Sequence, residues 1–271
     1  MKNEGWHAMQ NNMESTFRTL IVALVMSLVA SIFVAGSAVI LKPIQLQNRL
    51  LDKQRSILSV AGIKVDELSA DETRTLFERR IRADVVDLDN GEVQSDYDPM
   101  TFDALKAAND PDTSRALSAD QDIALIKRRE QYSTVYRLEA DDGSGRLEAL
   151  ILPVRGYGLW STLHGFLAVS PDLNNVVGFG FYQHGETPGL GGEVDNPNWL
   201  KLWPGKTLFD ANGMPNIEIV KGRVIQGNPN SGHQVDGLAG ATITSNGVNK
   251  LLTFWLGEQG FGPYLKRLGV E

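Results

Sequence analysis

From Thr19 to Leu41 the chain reads TLIVALVMSLVASIFVAGSAVIL, 23 residues without a charge. A helix of that length is about 34 Å long at 1.5 Å per residue, and about 20 apolar residues are enough to cross the hydrocarbon core of a bilayer. Arg18 and Lys42 bracket the run as interfacial anchors. A cleaved secretory signal would carry an apolar stretch of roughly 7 to 15 residues behind a basic one. This run is longer and the residues before it are not basic, so a retained transmembrane anchor is expected. Its orientation is contested by the flanking charges. Lys2 and Arg18 precede the span, whereas Lys42, Arg49, Lys53 and Arg55 follow it, and the positive-inside rule taken alone leaves the rest of the chain in the cytoplasm.

Beyond the span the chain has enough apolar material for a core: 42% of its 271 residues are hydrophobic. The formal charge of -7, from 26 Lys and Arg against 33 Asp and Glu, argues against a general affinity for nucleic acid. The chain has no cysteine, which excludes disulfides, thiolate metal sites, Cys-ligated iron-sulfur clusters and a cysteine nucleophile. Redox chemistry on this chain therefore requires a borrowed cofactor.

The expected organisation is an N-terminal tail (1–18), the transmembrane helix (19–41), a stalk helix (42–62), a segment of accessory helices and loops (63–135) and a C-terminal domain (136–271). Leu46, Leu50, Ile57 and Leu58 recur at helical spacing in the stalk, which stops at Gly62. Ser69 to Glu72 has the capping-box pattern ahead of a short helix carrying Leu76, Phe77 and Ile81. VYRLEA, RLEALILPV, GFLAVSP, NVVGFGFYQH and NIEIVKGRV are short runs rich in β-branched and aromatic residues, bounded by turn formers. They predict a mainly antiparallel sheet. NPNWLKLW predicts a short helix, and SNGVNKLLTFWL with PYLKRLG a C-terminal helical pair, so the class is α+β.

Two segments could carry chemistry. In Asp236-Gly-Leu-Ala-Gly240-Ala241-Thr242-Ile-Thr244-Ser245, glycines allow tight backbone and three hydroxyls cluster where the last long helix should begin. Free N–H groups and the helix dipole favour an anion such as a phosphate there, but Thr or Ser before an apolar helix is usually just an N-cap, and the residues taken alone favour that explanation. In His184-Gly-Glu186-Thr187-Pro-Gly189-Leu190-Gly191-Gly-Glu193, glycines let main chain approach a planar ring, Thr187 can hydrogen-bond and Leu190 can cover an apolar face. The spacing is not that of a dinucleotide fingerprint. His184 with Glu186, joined by His164 or His233, could ligate a metal, although scattered histidines near strands more often hydrogen-bond; no metal site is expected. Trp160 in GYGLW could stack on a ring or belong to the core. Ser161 and Ser245 lack a nucleophile-elbow pattern, which argues against a serine hydrolase.

Asp236, Gly240, Ala241 and Thr242 resemble the D-x-x-x-G-A-T acceptor signature at which flavin transferases attach FMN, taken from FAD, to a threonine hydroxyl; Ala239 stands where Ser or Thr is commoner. GETPGLGG resembles a loop of the same FMN-binding domain. Together with the single span, LLDKQRSILSVAGI, GYGLW, GATITSNGV and WLGEQGFGPYL, they are similar over nearly the whole chain to the C subunits of the sodium-translocating NADH:quinone oxidoreductases. The G subunit of the ion-translocating ferredoxin:NAD oxidoreductase (Rnf) complex is a sibling sharing both motifs. The resemblance implies FMN bound by phosphoester to Thr242, with Thr244 and Ser245 as alternative acceptors and Asp236, Gly240, Ala241, Glu186, Thr187, Gly189, Leu190, Gly191 and Trp160 as flavin-site residues. It further implies a domain on the periplasmic side of a bacterial inner membrane. The chain would carry electrons among the other subunits of an assembly that oxidises NADH, reduces ubiquinone and exports sodium, with no NADH site of its own. A membrane-anchored binding module without flavin is the alternative of a different class.

Overall fold

The computed structural model describes residues 4–269; Lys2, counted above among the flanking charges, lies outside them. Helix α1 (Glu4–Val60) runs without a break through the expected span and stalk, with Pro43 inside it. Its 45-residue stretch Thr16–Val60 passes the length and hydropathy tests for a membrane span. The chain divides into two compact units, residues 1–50 and 51–271.

In the second unit, α2 (Ala70–Arg80) leads into β1 (Ile81–Asp87), followed by α3 (Ala104–Asn109), β2 (Ser114–Ala116) and β3 (Arg128–Glu130). Then come β4 (Tyr132–Glu139), β5 (Leu147–Tyr157), β6 (Thr162–Val169), β7 (Val176–Gln183), α4 (Pro197–Leu200), β8 (Glu218–Ile219), β9 (Gln234–Val235), α5 (Thr242–Leu256) and α6 (Gly262–Leu268). Five strands form one antiparallel sheet in the order β1-β4-β5-β6-β7.

The expected capping box is formed: the Ser69 hydroxyl accepts from the Glu72 N–H and the Glu72 carboxylate accepts from the Ser69 N–H at 2.8 Å. Two expectations are corrected. Ile81 does not belong to the helix; it is the C-cap of α2 and the first residue of β1, so the sheet takes an edge strand from the segment read as helices and loops. NIEIVKGRV does not join the main sheet; only Glu218 and Ile219 pair, in parallel with Gln234 and Val235.

The sheet is covered on both faces. Side chains alternate along a strand, and β5 sends Leu150, Leu152 and Val154 into one core with Val248, Leu251, Leu252 and Trp255 of α5. Ala149 and Ile151 face a second core with Phe166, Phe77 of α2, and Ile57 and Leu58 from the last turns of α1. Burial on both sides is why RLEALILPV reads as a continuous apolar run rather than an alternating one. It also leaves one end of the sheet, where β5 ends, β6 begins and β7 ends, free to carry loops.

Candidate functional site

Because β5, β6 and β7 are antiparallel neighbours, the turn from Gly158 to Ser161 and the loop after Gln183 emerge at the same end of the sheet. The segment between β9 and α5 arrives beside them, since α5 packs on the face of β5 that forms the larger core. The three stretches singled out in the sequence, GYGLW, GETPGLGG and DGLAGAT, thus converge.

The point of convergence is Glu186, which is 5% exposed. Its Oε1 accepts from the N–H groups of Trp160 (2.9 Å) and Ser161 (3.1 Å), and the Leu159 N–H lies 3.1 Å from both carboxylate oxygens. Its Oε2 accepts from the Thr244 hydroxyl at 2.7 Å. The Ser161 hydroxyl accepts from the Gly185 N–H at 2.7 Å and closes the loop onto the turn. Burial works against the charge of Glu186, but the Thr244 hydroxyl and the N–H groups of Trp160, Leu159 and Ser161 outweigh it and hold the carboxyl below its usual range. Gly191 belongs to this packing: a Cβ there would lie 2.6 Å from Thr244 Oγ1 and 2.7 Å from Glu186 Oε2.

The acceptor motif is shaped by its backbone. Gly240 has φ +71, the left-handed region that glycine enters without strain, and its Cα faces the Leu190 side chain, which a Cβ would meet at 3.0 Å. Ala241 is the N-cap of α5 and offers no side-chain cap, so the capping explanation of Thr242 does not hold. The first helical bond runs from the Ser245 N–H to the Ala241 carbonyl at 3.0 Å, and the N–H groups ahead of it are the usual unsatisfied donors of a helix start. Thr242 occupies the first helical position, is exposed, and its hydroxyl makes no hydrogen bond among the described residues. The alternative acceptors differ: Thr244 is 1% exposed and committed to Glu186, and Ser245 is 6% exposed with its hydroxyl facing the Leu238 N–H. Asp236 shapes the approach, its Oδ1 accepting from the Val224 N–H and its carbonyl from the Trp199 indole, both at 2.8 Å.

Apolar side chains are exposed on the stretches that converge here. Trp160 is 67% exposed and does not belong to the core, and Leu190 is 47% exposed. Thr187 and Gly189 are exposed on the same loop, where the Thr187 carbonyl accepts from the N–H groups of Leu190 and Gly192. Tyr157, Leu159 and Ile243 are also exposed on these stretches. Sequence reasoning did not single them out; an apolar residue in an exposed turn beside a recognised motif was the available signal. The histidines lie apart from one another in their bonding: His184 Nε2 meets Asp195 Oδ2 at 2.6 Å, His233 Nδ1 meets the Thr207 carbonyl at 2.9 Å, and the His164 ring lies beside Tyr182.

Residues 158–257 match the family model of the FMN-binding domain. The chain is 62% identical over 257 residues to the C subunit of the Na(+)-translocating NADH-quinone reductase of Pseudomonas aeruginosa, covering 95% of this chain and 97% of that protein. It is 48% identical to the protein of the same name from Yersinia pestis, over 95% and 94%. Among solved structures it is similar to Shewanella oneidensis NqrC, with a TM-score of 0.74, 38% identity, and coverage of 81% of this chain and 97% of that one.

Proposed function

The chain belongs to the family of Na(+)-translocating NADH-quinone reductase C subunits, and from that premise we propose that it is a membrane-anchored electron carrier holding FMN by a phosphoester to the Thr242 hydroxyl. The FMN-binding domain and a place in a multi-subunit oxidoreductase come with the family; the covalent linkage to Thr242 is proposed from the acceptor motif and its geometry. Membership lies with the quinone-linked enzymes rather than with the ferredoxin-linked sibling.

One observation carries the assignment of Thr242: its exposed hydroxyl, which makes no hydrogen bond among the described residues, stands at the start of α5, where the N-cap Ala241 offers no side-chain cap. The site suits the cofactor in three respects. The hydroxyl is accessible to a flavin transferase, the free N–H groups and the dipole of α5 favour a phosphate, and the apolar rim around Trp160 and Leu190 offers cover to a planar ring. Gly189 and Gly240 let the main chain come close, and Thr187 offers a hydrogen-bonding group. Asp236 and Ala241 shape the backbone of the acceptor segment, while Glu186, Thr244 and Gly191 hold it from behind. When bound, FMN supplies the group that takes up and releases electrons; the protein supplies position and electrostatics. Thr242 anchored in this way retains its cofactor in a compartment where a dissociated flavin would be lost. The partners in this reading are the other subunits of the complex, the flavin transferase during maturation and the bilayer, and sodium translocation is a property of the assembled complex.

Mass mapping of the tryptic peptide Val224–Lys250, from protein co-produced with a flavin transferase, tests the assignment. The expected result is an added FMN less water, fragmenting at Thr242, and its disappearance in Thr242→Ala. A full equivalent of covalent flavin in that variant overturns the residue assignment, and an unmodified peptide in the parent chain favours the flavin-free binding module.

A further inference from the structure

The acceptor motif and the glycine-rich loop share one buried group whose chemistry neither motif explains alone, the Glu186 carboxylate. We propose that Glu186 is a positioning residue: as an ionised carboxylate it fixes the first turn of α5, and with it the Thr242 hydroxyl, against the turn that displays Trp160. The inference rests on the reading of Thr242 as the flavin acceptor.

Every described group that reaches the carboxylate is a donor: the Thr244 hydroxyl at 2.7 Å, the three successive N–H groups of Leu159, Trp160 and Ser161 at 2.9 to 3.1 Å, and the Ser161 hydroxyl at 3.3 Å. Only an ionised carboxylate accepts at both oxygens and donates at neither, and such charge-assisted bonds are stronger than neutral ones. Gln would present N–H to N–H. Thr244 stands two residues beyond Thr242 in the same helical turn, so tying down its Oγ1 fixes both the rotation of the helix start and its distance from the turn. Gly158 and Gly191 make room for the carboxylate in this seat, since a Cβ at either would lie 2.7 Å from one of its oxygens. Glu186 is 5% exposed, whereas Trp160, Leu190 and Ile243 are 67%, 47% and 57% exposed. It therefore acts through Thr244 and the turn, from behind the open rim.

The test follows flavin loading of the full-length chain, using FAD and a flavin transferase, by the rate at which covalent flavin appears, with thermal melting of the flavin-free chain measured in parallel. Glu186→Gln and Thr244→Val are each expected to slow loading about tenfold or more. Thr244→Ser, which keeps the hydroxyl, loads near the parent rate, and the double variant loads no slower than the slower single one, since both changes cut the same link. A purely structural role would make slowing track the fraction unfolded and would not give that non-additivity. Parent-like loading of both single variants, or effects that multiply in the double variant, overturn the proposal. If Glu186→Gln does not fold, Thr244→Val against Thr244→Ser decides: slow loading of the first alone supports it, and equal rates overturn it. A parent chain that acquires no flavin at Thr242 is a separate result, the failure of the acceptor assignment itself.

Discussion

His164 lies opposite Arg155 in the β5–β6 ladder. Burial first, and the Arg155 charge second, hold its pKa below the ordinary histidine value. Arg155 is itself committed to a buried pair with Glu130, its two terminal nitrogens 2.7 and 2.5 Å from the carboxylate oxygens, so it cannot move away. A folded-state pKa below the unfolded value means that the unfolded chain binds the proton more readily. The neutral ring's contribution is therefore fully present above the unfolded pKa of about 6.5 and is lost as pH falls through the folded value. Urea unfolding between about pH 5 and 8 is expected to show stability falling on the acid side, with that part of the slope removed in His164→Gln; an unchanged slope in the variant would show that the ring is not responsible. Nothing around His164 in the sequence announces this, because its neighbours come from β5 and β7. Glu186 makes the same point from the other side. It lies inside a recognisable loop, but the donors that hold it come from Leu159, Trp160 and Ser161, 25 to 27 residues earlier, and from Thr244, 58 residues later, so this network is visible only in the folded geometry.

Elements were legible where their partners left a pattern. The capping box at Ser69, the continuous apolar runs of β5 to β7 and the helical spacing of α5 all record local geometry or burial on both faces. β1 was hidden because it is an edge strand: Arg82, Asp84 and Asp87 break its apolar pattern, and Asp84 pairs with Arg137 of β4 at 3.1 Å. Charges of this kind keep an exposed edge from recruiting another chain. NIEIV was extended as expected, but the Asn249 side chain of α5 accepts from the Ile219 N–H at 2.6 Å and donates to its carbonyl at 3.0 Å, occupying the place of a neighbouring strand. The end of α1 combines both lessons. Of the four apolar stalk residues, Leu46 and Leu50 are 56% and 55% exposed, while Ile57 and Leu58 are 1% and 0% exposed in the smaller core. The last turns of the helix are thus a core element. A chain beginning at Leu51 is expected to fold. One beginning at Gly62 loses Ile57, Leu58, Val60 and Ala61 and should be at least about 3 kcal/mol less stable, judged from the cost of emptying buried aliphatic sites. Equal urea midpoints for the two would show that α1 contributes only an anchor.

At the scale of the whole molecule, flanking charge and domain size act in opposite directions on the side of the membrane to which the second unit is proposed to be delivered. Lys42, Arg49, Lys53 and Arg55 after the span outnumber Lys2 and Arg18 before it, and this favours a cytoplasmic domain. That rule holds for short loops; a unit of residues 51–271 is of the size that is translocated largely regardless of flanking charge. The proposed chemistry weighs on the same side. A cofactor held only by its phosphate and an open apolar rim gains most from a covalent anchor where lost flavin cannot be recovered from a surrounding pool. The zero-cysteine composition is neutral, being compatible with either redox environment. Protease added to intact spheroplasts is therefore expected to digest the second unit while a cytoplasmic control protein survives. Replacing Lys42 and Arg49 by Gln should leave that digestion unchanged, as expected of a large unit translocated largely regardless of flanking charge. Protection of the domain in intact spheroplasts, with digestion only after lysis, would reinstate the charge rule and require the flavin to be attached on the cytoplasmic side.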